Sequence, residues 1–129
     1  MNQELEKISE TARGLLFRSE TDYPLKTFML NRTGNLVGEL KSYSGQDEDA
    51  PVEKTTLDHF FRNMVKVFPG YGPEQINTAE KFQDLEEALK EHLAGIEVYR
   101  IGVIQVDAFI LGQLKDGSYA GLWTKLVET

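Results

Sequence analysis

Residues 98–114, VYRIGVIQVDAFILGQL, with KDGS at 115–118 and YAGLWTKLV at 119–127, decide the fold. The first stretch reads as one long strand, or two broken at Gly102, since glycine within a β pattern marks a bend. Lys115-Asp116-Gly117-Ser118 has the chemistry of a tight turn, so residues 119–127 return antiparallel. Ile104, Val106, Ala108 and Ile110 share one face. The other face holds Gln105 and Asp107, but also Val103, Phe109 and Leu111. Apolar residues on both faces predict a central strand with at least partial cover on each side.

Upstream, the apolar period changes to that of a helix. Ala79, Phe82, Leu85, Leu89 and Leu93 predict a helix from near Asn77 to Ala94, with Gly95 as its stop. Phe68-Pro69-Gly70-Tyr71-Gly72-Pro73 divides it from an earlier helix whose stripe is Leu57, Phe60, Phe61, Met64 and Val65. Thr55-Thr56-Leu57-Asp58 opens that helix with capping-box spacing, Asp standing in the place of Glu or Gln. Residues 44–51 form a polar loop. Residues 25–30 and 36–43 read as two strands joined by a hairpin turn at Thr33-Gly34-Asn35. Residues 3–17 read as an amphipathic helix carrying Leu5, Ile8, Ala12, Leu15 and Leu16. Arg18 complements its dipole, and Tyr23 before Pro24 is pushed toward extended geometry. Helices and antiparallel strands in segregated runs mean an α+β fold. With no linker, repeat or low-complexity segment, residues 1–129 are expected to form one domain.

Composition narrows the function. The chain has 129 residues, no cysteine and a formal net charge of -7. A disulfide framework and a cysteine-type zinc site are excluded. The acidic excess argues against a general grip on nucleic acid, which needs clustered cations, and favours a basic partner or simple solubility. The opening Met1-Asn2-Gln3-Glu4-Leu5-Glu6 lacks a secretory pattern, and no apolar run nears membrane-spanning length. The expected compartment is the cytoplasm, with no membrane partner and no cofactor.

Catalytic and metal motifs are missing. His59 and His92 lack a second nearby His or Cys. No Gly-x-Ser-x-Gly elbow presents a nucleophile. Asp47-Glu48-Asp49 lacks the ligand alternation, glycine and closing glutamate of a calcium loop. Gly70-Tyr71-Gly72 runs into Pro73 and has no lysine-serine pair to cradle phosphate. Asp84, Glu86, Glu87 and Glu91 form the wet face of a helix.

Two segments together resemble the nuclease A inhibitor family. One is Gly14-Leu15-Leu16-Phe17-Arg18-Ser19-Glu20-Thr21-Asp22-Tyr23-Pro24, similar to the family's helix-exit segment. The other is Ala120-Gly121-Leu122-Trp123-Thr124-Lys125-Leu126-Val127-Glu128-Thr129, similar to its carboxyl-terminal strand. Gly45-Gln46-Asp47, Asp58-His59-Phe60-Phe61, Lys81-Phe82-Gln83 and Val98-Tyr99-Arg100-Ile101-Gly102 follow in family order. The similarity covers nearly the whole chain. It rests on the co-linear set, since no single short motif is diagnostic.

The resemblance implies a sandwich of helices, about three by the reading above, over a mostly antiparallel sheet. It implies an intracellular, non-enzymatic protein that inhibits a sugar-nonspecific, magnesium-dependent DNA/RNA endonuclease and is monomeric when free. By the family pattern Glu20 meets an arginine of the nuclease active site, and Thr129 reaches toward the nuclease's magnesium by way of water. Asp22 adds a second acid beside Glu20. Where the family pattern has an Asp-Trp pair, this chain has residues 68–74, with Tyr71 in the aromatic's place and Glu74 in the acid's. The physics is compatible: an acid at a helix's carbonyl end does little for the helix, and a carboxylate suits magnesium. Two other readings stay open. One is a small-molecule-binding or hydrolytic domain using residues 47–49 and His59. The other is a family-like scaffold for a non-nuclease protein.

Overall fold

The computed structural model describes residues 3–30 and 35–128. Helix α1 (Gln3–Ala12) buries Leu5, Ile8 and Ala12 along one stripe. It stops well short of the expected Phe17, because Gly14 takes a left-handed conformation (φ 77) that turns the chain. Leu16 and Phe17 then fall in strand β1 (Leu16–Arg18), where only Phe17 points inward. Strand β2 (Asp22–Pro24) pairs with it antiparallel, Arg18 opposite Asp22. The Leu15-Leu16 pair mimics one more helical turn.

Strand β3 (Lys26–Leu30) follows as expected. The next segment does not: residues 36–43 are helical, not a strand, within α2 (Leu36–Ser44). Asn35 acts as a helix cap, its side chain accepting from the Gly38 N–H at 3.0 Å. Thr33 and Gly34 of the expected hairpin turn lie outside the described residues. Gly45 closes the helix in a left-handed conformation. Leu36, Val37 and Leu40 fit helical spacing as well as the strand reading, and the two caps decide between them.

An edge strand that the residue pattern does not suggest, β4 (Val52–Thr55), comes next. Thr56 caps α3 (Leu57–Phe60), its hydroxyl accepting from the His59 N–H at 3.1 Å. The expected single helix is broken at Phe61, beyond which α4 (Arg62–Val65) runs on. Helix α5 (Pro73–His92) starts before the expected Asn77, because Pro73 takes its first turn, where no N–H is needed. It ends at His92, so Gly95 is not its stop. Gly95 instead sits at φ 62 in β5 (Ala94–Ile101), where the pairing register shifts between Ala94 and Glu97. Strands β6 (Gln105–Gln113) and β7 (Tyr119–Val127) complete the chain, with the break at Gly102 and the turn at 115–118 where the sequence puts them. The break is wider than one glycine: Val103 and Ile104, expected within a strand, lie exposed in the turn before β6.

The fold is α+β. Its main sheet has the order β3-β7-β6-β5-β4, antiparallel throughout, and β6 is central. Val106, Ala108 and Ile110 pack on one side with Leu5, Ile8, Phe61 and Phe82 of the α1, α3–α4 and α5 layer. Phe109 and Leu111 pack on the other side with Leu40 of α2. The apolar residues on the two faces of β6 thus build two separate cores. Asp107, on the same strand, is buried with both carboxylate oxygens engaged, by Gln46 Nε2 at 2.7 Å and Trp123 Nε1 at 2.9 Å.

On the β4–β5 edge, Lys54 Nζ lies 2.9 Å from Glu97, and the Tyr99 hydroxyl donates to the same carboxylate at 2.9 Å. The Lys54 ammonium, then the Tyr99 hydroxyl, hold the Glu97 carboxyl below its ordinary range. A depressed carboxyl stabilises the fold above its unfolded pKa, and that contribution is lost as pH falls through the folded value. Both side chains are about half exposed, so solvent screens the pair and the effect is small. Glu97→Gln should therefore melt slightly lower than the natural chain at pH 7, and the gap should close as pH falls through and below the carboxylate range. Thermal melts at pH 7 and at about pH 3 check this; an equal gap at both contradicts it.

Candidate functional site

One end of the sheet gathers three separate pieces of chain. Residues 19–21 form the turn between β1 and β2, and Ser19 organises it. Its Oγ donates to the Thr21 carbonyl at 2.9 Å and accepts from the Val127 N–H at 3.1 Å. The Glu20 N–H donates to the Val127 carbonyl at 3.3 Å. One residue on, the Glu128 N–H donates to the Ile104 carbonyl at 2.8 Å, in the turn between β5 and β6. The end of β7 is thus clasped from both sides. The ring of Phe17 stacks on Phe60, centroids 4.4 Å apart, so the strand leading to Glu20 is pinned to the core.

Beside this clasp opens a cleft of about 400 Å³, whose lining includes Glu20, Glu53, Glu128, Arg18, Arg62 and Arg100. Its charge is mixed. The Arg100 guanidinium binds the Glu128 carboxylate and lies 3.4 Å from Glu53 across the β4–β5 pair. Two of the acids are therefore tied to a cation of the same molecule. Glu20 is exposed on its turn.

The other residues proposed from the sequence divide as follows. Thr129 lies outside the described residues, directly after Glu128. Asp22 is exposed opposite Arg18 on the β1–β2 ribbon, off the lining of the Glu20 cleft. Tyr71 is half-buried in a second cleft of about 420 Å³, which shares Arg18, Asn63 and Met64 with the first. Its ring meets Phe68 edge-on at 5.5 Å, and its N–H donates to the Phe68 carbonyl at 3.2 Å. Glu74 stands exposed in the first turn of α5, favoured there by the helix dipole, and lines neither cleft. Glu20 and Tyr71 are thus brought into adjoining clefts, with Arg18 common to both, while Asp22 and Glu74 lie outside them.

The rival hydrolytic arrangement is not assembled. His59 lines the Glu20 cleft, but Asp47, Glu48 and Asp49 do not. Among the described residues no group of three His, Cys, Asp or Glu side chains is placed to hold a metal ion. No described helix is long and apolar enough to cross a membrane.

Residue-type reasoning misses Arg100, Glu53 and Glu128 as parts of this cleft. The available signal is Arg100 itself, a cation set between Val98, Tyr99 and Ile101 near the end of β5. Its partners lie 47 and 28 residues away in the chain, Glu53 brought opposite it by the β4–β5 pairing and Glu128 by the end of β7 meeting the β5–β6 turn. Such distant pairing leaves no local pattern.

Comparison with known proteins adds a family to this geometry. No curated protein matches the chain. The family model described as nuclease A inhibitor-like protein matches residues 2–129. With nearly its whole length matched in this way, the chain belongs to the nuclease A inhibitor-like family.

Proposed function

We propose that the protein is a stoichiometric inhibitor of a sugar-nonspecific, magnesium-dependent DNA/RNA endonuclease, acting in the cytoplasm as a monomer and without chemistry of its own. Family membership supports a nuclease as partner. The observation that carries the finer reading is the hydrogen bond from the Glu20 N–H to the Val127 carbonyl. It sets an exposed acid beside the strand end that leads into Glu128 and Thr129. In the proposed complex Glu20 faces an arginine of the nuclease, and Thr129 faces its magnesium through water. Tyr71 gives apolar contact from the adjoining cleft, with Glu74 and Asp22 as flanking acids. Anions held on a rigid frame take the place of substrate phosphate, so inhibition is by occupation.

The test is digestion of plasmid DNA and of RNA by a panel of purified nonspecific magnesium nucleases, with rising amounts of the protein. Protection of both substrates that completes near equimolar ratio is expected for at least one nuclease. Protection that follows substrate concentration instead of nuclease concentration, or none across the panel, overturns the reading.

A further inference from the structure

Resting on that reading, we propose that Ser19 is the positioning residue of the inhibitory end, its hydroxyl fixing the turn that carries Glu20 to the strand end that leads into Glu128 and Thr129. A serine hydroxyl has one hydrogen to donate and two positions that accept. All three are used here. Ser19 Oγ donates to the Thr21 carbonyl at 2.9 Å, and accepts from the Thr21 N–H at 3.4 Å and from the Val127 N–H at 3.1 Å. The first two bonds fold residues 19–21 into the turn. The third reaches across 108 residues of chain to β7.

The sheet needs a group at that point. Successive residues of an antiparallel strand turn their backbone groups to alternate neighbours. Glu128 turns its N–H to the Ile104 carbonyl, on the β6 side. Val127 turns its N–H and carbonyl the other way, where β3 no longer runs: its pairing with β7 reaches only as far as Lys26 opposite Trp123. Ser19 Oγ takes the Val127 N–H, and the Glu20 N–H takes the Val127 carbonyl at 3.3 Å. A side-chain hydroxyl thus stands where a neighbouring strand would place a carbonyl. A strand end paired on one edge alone opens readily, and here both edges are held.

Ser19 is exposed and belongs to neither core, so water can replace its bonds and the fold as a whole gains little from them. What the hydroxyl supplies is relative placement. Glu20 and Thr129 are proposed to engage an arginine and a magnesium ion of one active site. Their spacing must therefore be set in the free chain, or else be fixed on association at a cost in entropy. With alanine at position 19 the turn itself survives, because the Ser19 N–H also donates to the Thr21 carbonyl at 3.1 Å. Its hold on Val127 then falls to the bond from the Glu20 N–H, about which it can pivot.

The experiment compares Ser19→Ala and Ser19→Thr with the natural chain, against the nuclease it inhibits most strongly in the panel. Thermal melts and amide hydrogen exchange are followed on the free proteins. Ser19→Ala should weaken inhibition about tenfold, the order of cost of re-ordering a loosened turn on association. Its melting temperature should nearly hold, while the Val127 N–H exchanges faster than in the natural chain. Ser19→Thr keeps the hydroxyl and should restore both inhibition and protection of that amide. In a Glu20→Ala background the loss of the hydroxyl should cost clearly less, since one of the two placed groups is already gone. Thr11→Ala removes a hydroxyl that donates to the Lys7 carbonyl at 2.7 Å on α1, off the lining of both clefts, and should leave inhibition unchanged. Full inhibition by Ser19→Ala, an equal loss in both backgrounds, or no recovery with threonine overturns this inference alone. Loss of inhibition only where the alanine variant unfolds also overturns it, assigning Ser19 to stability. Failure of the natural chain to inhibit any nuclease removes the parent reading and this inference with it.

Discussion

Glu20→Ala is expected to weaken inhibition of the partner nuclease by about 2 to 5 kcal/mol, the usual cost of truncating one member of a buried interfacial charge pair. In inhibition constants that is a loss of about thirtyfold to several thousandfold. Much of it arises on the nuclease side, where an arginine is left desolvated without its carboxylate. Glu20→Gln keeps the shape and should recover only a small part, since the charge is what the arginine needs. Neither change should lower the melting temperature much, because the side chain is exposed and the turn is held by backbone and by Ser19 Oγ. Deleting Thr129 should do comparable harm, since that residue is proposed to face the magnesium. Titration of nuclease activity with each variant, beside thermal melts, is the measurement. Full inhibition by both Glu20→Ala and the chain without Thr129 contradicts the proposed geometry.

For folding, Gly121 is the most sensitive position. It lies in the middle of β7, opposite Phe28 of β3 on one side and Leu111 of β6 on the other. A Cβ built there would stand 1.7 Å from the Ile110 carbonyl oxygen and 2.9 Å from its carbon. Those atoms belong to the backbone of the central strand, which cannot withdraw without breaking its ladder. Overpacking of a core commonly costs about 1 to 3 kcal/mol, and a rigid backbone neighbour puts Gly121→Ala at or above about 3 kcal/mol. Against a typical domain stability of about 5 to 15 kcal/mol, the alanine variant should be severely weakened and Gly121→Val should not fold. Gly70 provides the contrast. Its φ of 89 strains an alanine, but nothing lies within 4 Å of the added carbon. Gly70→Ala should cost only about 1 to 2 kcal/mol, the left-handed penalty alone. Urea denaturation separates the two; equal midpoints for both alanine variants contradict the packing of β7 on β6.

How far the residues announce this structure depends on the kind of signal. The return of β7 against β6 is legible because alternating faces and an Asp-Gly turn reinforce each other. The stop of α1 is obscured because Leu15 and Leu16 satisfy helical spacing, while Gly14, just before them, already turns the chain. Residues 36–43 favour neither period, because Leu36, Val37 and Leu40 suit both, and Asn35 and Gly45 are residue types common to turns and helix caps alike. Strand β4 leaves little trace: Val52, Glu53, Lys54 and Thr55 lie on an edge, and their pairing is decided by β5. The chemistry of the site divides likewise. Glu20 and Tyr71 are reached through family resemblance, and the Glu53–Arg100–Glu128 cluster only through the tertiary fold.

Residue order alone thus settles the two apolar faces of one central strand, the turn at 115–118, the glycine break at 102 and the family. These are local or whole-chain properties, written in period, turn chemistry and co-linear similarity. Folding in three dimensions was needed to bring the β1–β2 turn and the β5–β6 turn onto the same end of β7, and so to line one cleft with Glu20, Arg100 and Glu128. The hydrogen bond between residues 20 and 127 joins points near opposite ends of the chain. Its geometry follows from sheet register and the packing of α1 and α3, which no stretch of sequence contains alone.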